Sequence, residues 1–375
     1  MTKRVGALAK CRAKPSVAHG ESLADLGCAL EVGLKLLTLH TVNWAQKLAP
    51  YRVASDGRSA FEVLLTLVLF SAFWMATYLV SFVHPWLALL LAVPSGGFLV
   101  RLFMLQHDCG HLALFKSKKV NDWVGRALGV LTLTPYDYWR HSHAMHHAGS
   151  GNLDKRGVGD IKTLTLAEYK AEGFWGRLGY RLYRNPFVMF VVGPIYLFIF
   201  QQRMPPGAFS QGRASWVSVF LTNIGIVAFV AGLCLVVGWK AVLLVHVPIV
   251  IIAGSIGIWL FYVQHQFDPT HWEPHADWNA HQSALEGSSY YDLPKPLMWL
   301  TGNIGIHHLH HLSSRIPFYR LPQVLKDFPE LDEIATRLTF WQSLRCIPLA
   351  IWDERAKALI SFRRAHLALK LEPVA

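Results

Sequence analysis

Three features of this sequence predict an all-α membrane protein: four apolar runs long enough to cross a bilayer, 16% charged residues against 53% hydrophobic ones, and basic residues gathered between the runs. A helix rises about 1.5 Å per residue, so about 20 apolar residues cross a hydrocarbon core of about 30 Å. The 375 residues read as one membrane-organised unit, because their apolar content is concentrated in those few runs.

Residues 1–60 read as a basic tail, with Lys3, Arg4, Lys10, Arg12 and Lys14, leading into an amphipathic or interfacial segment. No compact apolar stretch ending in small residues follows these charges, so a cleaved secretory signal is not expected. The first two spans, 61–83 and 86–106, meet at His84 and Pro85; the other two, 216–238 and 241–263, meet at Trp239 and Lys240. They are read as two helical hairpins. Arg101, late in the second span, is expected to snorkel to the headgroups, since a charge at mid-membrane costs about 2.5–3.5 kcal/mol. Residues 187–200 are apolar but short and contain Gly193 and Pro194, which suggests an interfacial or re-entrant helix. Residues 329–375 read as a helical cytoplasmic tail.

The segment between the two pairs holds Lys116, Lys118, Lys119, Arg126, Arg140, Lys155, Arg156, Lys162, Arg177, Arg181 and Arg184, whereas the turns show only Lys240. Cytoplasmic loops retain Lys and Arg, so this segment and both termini are placed in the cytoplasm. The formal charge of +12 is then matched by anionic headgroups, and no nucleic-acid partner is needed. Cys11, Cys28, Cys109, Cys234 and Cys346 are scattered without a CxxC pair, which argues against a disulfide framework and against a thiolate zinc site.

The chemistry lies in the 19 histidines. His107 and His111 continue the second span at i and i+4. His143, His146 and His147 repeat the spacing i, i+3, i+4, as do His307, His310 and His311 beyond the last span. Such spacings put imidazoles on one helix face. All three groups fall on the side that charge and hydropathy assign to the cytoplasm, where helix ends of one bundle are neighbours. Eight imidazoles exceed what one tetrahedral metal accepts, so two metals are implied. A zinc hydrolase is disfavoured because the first group, HDCGH, lacks the glutamate of HExxH.

With HDCGH, HAMHH and HHLHH in this order, and Gln264-His265-Gln266-Phe267 before the third, the chain resembles the three-histidine-box membrane fatty acid desaturases from about Pro50 to about Phe328. YWRHSHAMHH, NLDKRGVGD and TGNIGIHHLHHLSSRIP look most like bacterial acyl-lipid desaturases. The resemblance implies a desaturase domain over 61–328, with four spans under a cytoplasmic helical cap carrying a di-iron site. It also implies that O2 and electrons from outside desaturate the acyl chain of a membrane lipid, or of a carrier thioester, at a bacterial inner membrane. By matching position, one iron would take His107, His143, His147 and His307, and the other His111, His146, His265, His310 and His311. No flavin, iron–sulfur or fused-haem motif is present, so a separate ferredoxin or cytochrome-type donor is expected, drawn to the basic face.

His141 and His308 lie off these ligand positions and read as supporting or surface groups, His271, His275 and His281 as solvated loop residues, and His246 as a hydrogen-bonded residue inside a span. Asp108 and Asp160 are candidates to orient ligand imidazoles. Tyr136, Tyr138 and Trp139 are candidates for a tunnel wall. Two other functions share these features: a di-iron hydroxylase or ketolase of alkanes or carotenoids, and a non-catalytic membrane metal-binding or transport protein. The second would need polar ligands at bilayer depth, whereas these clusters stop at span ends.

Overall fold

The computed structural model describes residues 41–371, apart from residue 158. The basic tail expected over the first 40 residues lies outside the described residues. In chain order the principal helices are α1 (Asp56–Ser81), α2 (Pro85–Gly110), α3 (Lys118–Leu131), α4 (Tyr136–Gly149), α5 (Phe174–Tyr183), α6 (Arg213–Val237), α7 (Trp239–His265) and α8 (His307–Leu312). Among the described residues, α1, α2, α6 and α7 are long and apolar enough to cross a membrane. Each overlaps an expected span and begins before it, and α2 and α7 also run past its end, because a helix does not stop where apolarity does, while α1 and α6 end just short of theirs. Thus α1 begins five residues before the expected Phe61, and α2 runs on through the first histidine group.

Pro85 occupies the first turn of α2, where its missing N–H removes no helical bond, and α1 and α2 lie side by side with the Thr77 and Ser95 hydroxyls 3.0 Å apart. The second pair differs. α6 and α7 join at Gly238, where φ is +85°, and meet along the start of α7 as far as His246, whose ring lies 5.7 Å from that of Phe229; α6 packs mainly on α3 and α4, while α7 packs on α2. Small residues choose these partners. A Cβ at Gly96 of α2 would stand 2.8 Å from Ile252 Cγ2 of α7, and one at Gly225 of α6 would stand 2.8 Å from Val130 of α3.

Arg101 does not snorkel. Its side chain is buried, and it pairs with Glu62 of α1 at 2.6 Å. A carboxylate one helix away satisfies the guanidinium at depth better than a stretched stem would. All but the first residue of the stretch at 187–200 falls within Val188–Arg203, which follows α5 across a 62° bend, as a broken span or a re-entrant element would.

The tail at 329–375 is not helical throughout, and the fold is not purely α. Number the strands β1 (Leu164–Thr165), β2 (Tyr290–Asp292), β3 (Arg337–Thr339), β4 (Leu349–Asp353) and β5 (Ala358–Ser361). β3 pairs in parallel with β2, while β4 and β5 form an antiparallel hairpin whose β4 edge accepts β1 in parallel. Ala350, Ile351 and Trp352 are all buried in β4, with Trp352 stacked on Trp272 at 5.3 Å; a strand covered on both faces suits branched and aromatic side chains. Buried Arg184 ties this hairpin to the end of α7, donating to the Leu349 carbonyl at 2.6 Å and to Gln266 Oε1 at 3.0 Å.

The close approach at Gly96 makes a prediction. Gly96→Ala should lower the thermal midpoint of the detergent-solubilised protein, as overpacking by about 1–3 kcal/mol would, while Gly232→Ala on α6, which meets nothing within 4 Å, should not. Equal midpoints for Gly96→Ala and the unaltered protein would show that α2 and α7 are not in close contact.

Candidate metal centre

Four segments converge on one place: the C-terminal ends of α2 and α7, the middle of α4, and α8. α4 starts after Pro135 with Asp137 in its first turn, where a negative charge meets the positive end of the helix dipole. α8 follows a reversal at Gly302 and Asn303, with φ +60° and +52°; a Cβ on Gly302 would come within 3.0 Å of Met104 on α2. Asn303 donates to the Phe318 carbonyl at 3.2 Å and does not cap α8, whose N-cap residue is Ile306.

All nine expected imidazoles lie there, in two groups. His107, His111, His143, His147 and His310 form one, and His146, His265, His307 and His311 the other, with the potential ligand atoms of each group all within 4.8 Å of one another. This differs from the division inferred by resemblance, because His111 and His310 join His107 while His307 joins His265. Helix geometry gives the reason. Residues at i and i+4 are about 40° apart around the axis, so 107 with 111, 143 with 147, and 307 with 311 each stay together. The residue at i+3 turns the other way, which sends His146 and His310 to the opposite group.

Within the first group Nε2 atoms follow one another from His107 to His143 at 3.0 Å, to His147 at 3.1 Å and to His310 at 3.1 Å. In the second they run from His146 to His265 at 3.1 Å, to His307 at 2.9 Å and to His311 at 3.1 Å. An imidazole nitrogen binds a metal such as zinc at about 2.0–2.1 Å, so two at right angles lie about 3 Å apart. Hydrogen bonding cannot serve every contact, since a neutral ring nitrogen either donates or accepts and the inner members would need to do both. His111 Nε2 is buried without any partner. Both groups therefore fit a cation at their centres. Burial first, with neighbouring imidazoles adding to it, pushes His111, His143, His147, His307, His310 and His311 well below the ordinary imidazole value, which leaves their lone pairs free.

Two of the outer ring nitrogens face carboxylates. Asp160 hydrogen-bonds His146 Nδ1, and Asp108 Oδ1 lies 3.4 Å from His107 Nδ1 while its Oδ2 accepts the Phe318 N–H at 2.7 Å. Such contacts fix which ring nitrogen faces a metal. Trp139 stacks on His143 at 4.6 Å and lines a cavity of about 320 Å³ together with His111, His143, Ala144, Arg140 and Arg315. A second niche of about 30 Å³, room for a water or two, lies beside His265, Asp160, Gln266 and Asn152.

Of the expected tunnel residues only Trp139 lines that cavity. Tyr136 is buried and donates to the Cys109 carbonyl at 2.8 Å, and the Tyr138 hydroxyl donates to Pro206 O at 3.3 Å. His246 accepts from Trp74 Nε1 at 3.3 Å, while His141 is exposed. His308 is not a surface group: it is buried beside Tyr290, and burial pushes it down to about 3. Sequence reasoning missed Glu62, Phe318 and Arg184. An acidic residue inside an apolar run was the available signal for the first; a backbone N–H has none.

Comparison with known proteins adds a family. A family profile described as fatty acid desaturase matches residues 84–341. A fatty acid desaturase of Bacillus subtilis is 45% identical over 344 residues, covering 90% of this chain and 97% of its own length. An sn-1 acyl-lipid omega-3 desaturase (ferredoxin) of Synechocystis sp. is 30% identical over 287 residues, 70% of this chain and 73% of its own, and an sn-1 oleoyl-lipid 12-desaturase of the same organism is 27% identical over 250 residues, 63% and 67%.

The neutral imidazoles set a pH dependence. Depressed groups take up protons only on unfolding, so the stability they support is present above the unfolded value of about 6.5 and is lost as pH falls below it. Metal-stripped protein should therefore melt at a lower temperature at pH 5.5 than at pH 7.5. An unchanged or higher midpoint at pH 5.5 would contradict the buried, neutral cluster.

Proposed function

The chain belongs to the fatty acid desaturase family, and we propose that its two imidazole groups hold a pair of irons that use O2 and external electrons to desaturate the acyl chain of a membrane lipid. It is an oxidoreductase. The observation that carries the metal assignment is the pair of Nε2 chains spaced 2.9 to 3.1 Å apart. One iron takes His107, His111, His143, His147 and His310, and the other His146, His265, His307 and His311. A set made of nitrogens alone suits redox iron, and no adjacent glutamate offers the base of a zinc hydrolase. Irons bound there supply the two-electron chemistry that turns –CH2–CH2– and O2, with two electrons and two protons, into –CH=CH– and two waters.

The protein's own part is to position and to exclude. Asp160 and Asp108 hold the outer nitrogens of His146 and His107, so that Nε2 of each ring faces its iron. Trp139, stacked on His143, forms the wall against which acyl methylenes lie in the cavity beside His111. Arg140 and Arg315 line the same cavity and suit an anionic headgroup.

The first box and His265 end α2 and α7 on the side that carries the basic segment. We place that side in the cytoplasm, with α1–α2 and α6–α7 each crossing and returning, so that the rest forms a cap at a bacterial inner membrane. The Synechocystis relative is named for ferredoxin. An acidic ferredoxin or a small cytochrome meeting the basic face of this protein is the proposed donor.

Two measurements test this reading. Protein expressed with iron supplied should contain about two irons per chain, and one zinc without iron would overturn the assignment. In a host with a simple lipid profile, mass spectrometry should locate a new double bond that disappears with His143→Ala, His147→Ala or His310→Ala, while each variant still inserts in the membrane. An added oxygen in place of unsaturation would assign a hydroxylase.

A further inference from the structure

A buried ion pair lies inside the spans, apart from the imidazoles. The side chains of Glu62 on α1 and Arg101 on α2 are each 1% exposed and meet at 2.6 Å, with Arg58 on the other carboxylate oxygen at 2.5 Å. Arg101 Nε donates to Thr66 Oγ1 at 3.2 Å, and Nη1 donates to the Trp299 carbonyl. Its guanidinium lies 4.1 Å from the centre of the Trp299 ring and 5.2 Å from that of Phe318. Taking both charges out of water is costly, and apolar side chains of similar size would pack α1 against α2 equally well. A role beyond packing is indicated.

The contacts of Arg101 show which. Trp299 and Phe318 are the two ends of the segment that carries α8, and so the third histidine box. Arg101 itself stands six residues before His107, on the helix that carries the first box. One guanidinium thus grips both ends of the third-box segment and fixes them to the first-box helix. At the far end of the grip, the Phe318 N–H donates at 2.7 Å to Asp108, whose other oxygen faces His107. The His107 and His310 rings, one from each box, have centroids only 4.6 Å apart in one group.

We propose that Arg101, anchored by Glu62, is a positioning residue that sets the spacing between the first and third histidine boxes, and with it the geometry of the iron held by His107 and His310. The inference rests on those two residues sharing an iron.

Arg101→Met alone leaves the buried Glu62 with only the half-exposed Arg58 as a partner, so it tests folding as much as function. The informative variant is Glu62→Leu combined with Arg101→Met, which removes both charges; replacing a buried pair in this way is often neutral for stability. Arg101→Lys keeps the charge but cannot reach Glu62, Thr66 and the Trp299 carbonyl together. For each purified protein, the thermal midpoint, iron release to a chelator, the iron Mössbauer spectrum, and kcat and KM on lipid vesicles would be measured.

The double variant should melt within a few degrees of the unaltered protein and keep KM within about twofold. Its kcat should fall at least tenfold, iron release should be at least tenfold faster, and the spectrum of one iron should change; Arg101→Lys should lie between. A folded double variant with unaltered kcat, iron release and spectrum would overturn the proposal, as would loss of activity only in step with unfolding. His107→Ala run alongside separates the premises: full iron content there would overturn the ligand reading and this inference with it. Iron loss in His107→Ala beside an unaltered double variant would overturn the inference alone.

Discussion

Nine imidazoles packed in two groups, eight of them with Nε2 atoms 2.9 to 3.1 Å from a neighbour's, are the constraint on which the rest of this structure depends. Ring nitrogens facing one another in two chains cannot all be satisfied by hydrogen bonds, and burial denies them water. Left to themselves they would separate. The surrounding protein must therefore keep them close whether or not a cation sits between them, and much of the remaining architecture serves that end. Carboxylates lock the outer nitrogens of His146 and His107, Trp139 presses on His143, and α8 is buried from both sides.

What the sequence shows of this arrangement follows from how local each feature is. The boxes were legible because i, i+3, i+4 spacing is a property of a single helix, and the spans because hydropathy is a property of a single run. The division of imidazoles between two centres follows the same helical rule. Resemblance to relatives pointed instead to an alternation that would split His107 from His111 and His307 from His311, residues that share a rail. Arg101 was misread because its partner lies 39 positions away on another helix, where Glu62 in isolation is only an acidic residue near the start of an apolar run. The strands of the tail were hidden for a similar reason. β1 finds its partner in β4 far along the chain, Leu164 opposite Ile351, and each strand is too short to show an alternating pattern.

Buried or half-buried guanidiniums recur where the long apolar helices meet the segments packed on them. Arg101 ties the third-box segment to α2, Arg184 ties the β4–β5 hairpin to the end of α7 through Gln266, and Arg203 donates to Asn223 of α6 and to the Leu133 carbonyl just before α4. Each reaches backbone carbonyls of a neighbouring segment, which suits a planar group with five fixed donors. An apolar contact would hold the same pieces together but would let them slide. Directional bonds at these junctions specify register, and register is what a ligand set drawn from four separate segments requires.

The imidazoles also divide by origin. His107 and His111 come from the end of α2 and fall in one group, while His265 comes from the end of α7 and falls in the other. α4 and α8 each give to both centres, through an i, i+4 pair on one side and the i+3 residue on the other. The separation of the centres is thus set by how closely α2 and α7 approach, and the small residue at Gly96 against Ile252 allows that approach. The bridging helices can only follow it. A shift between the two spans would move the centres apart and break the bridging sets of α4 and α8 together. It follows that the membrane-embedded contact, well away from the imidazoles, belongs to the construction of the site as much as the imidazoles do.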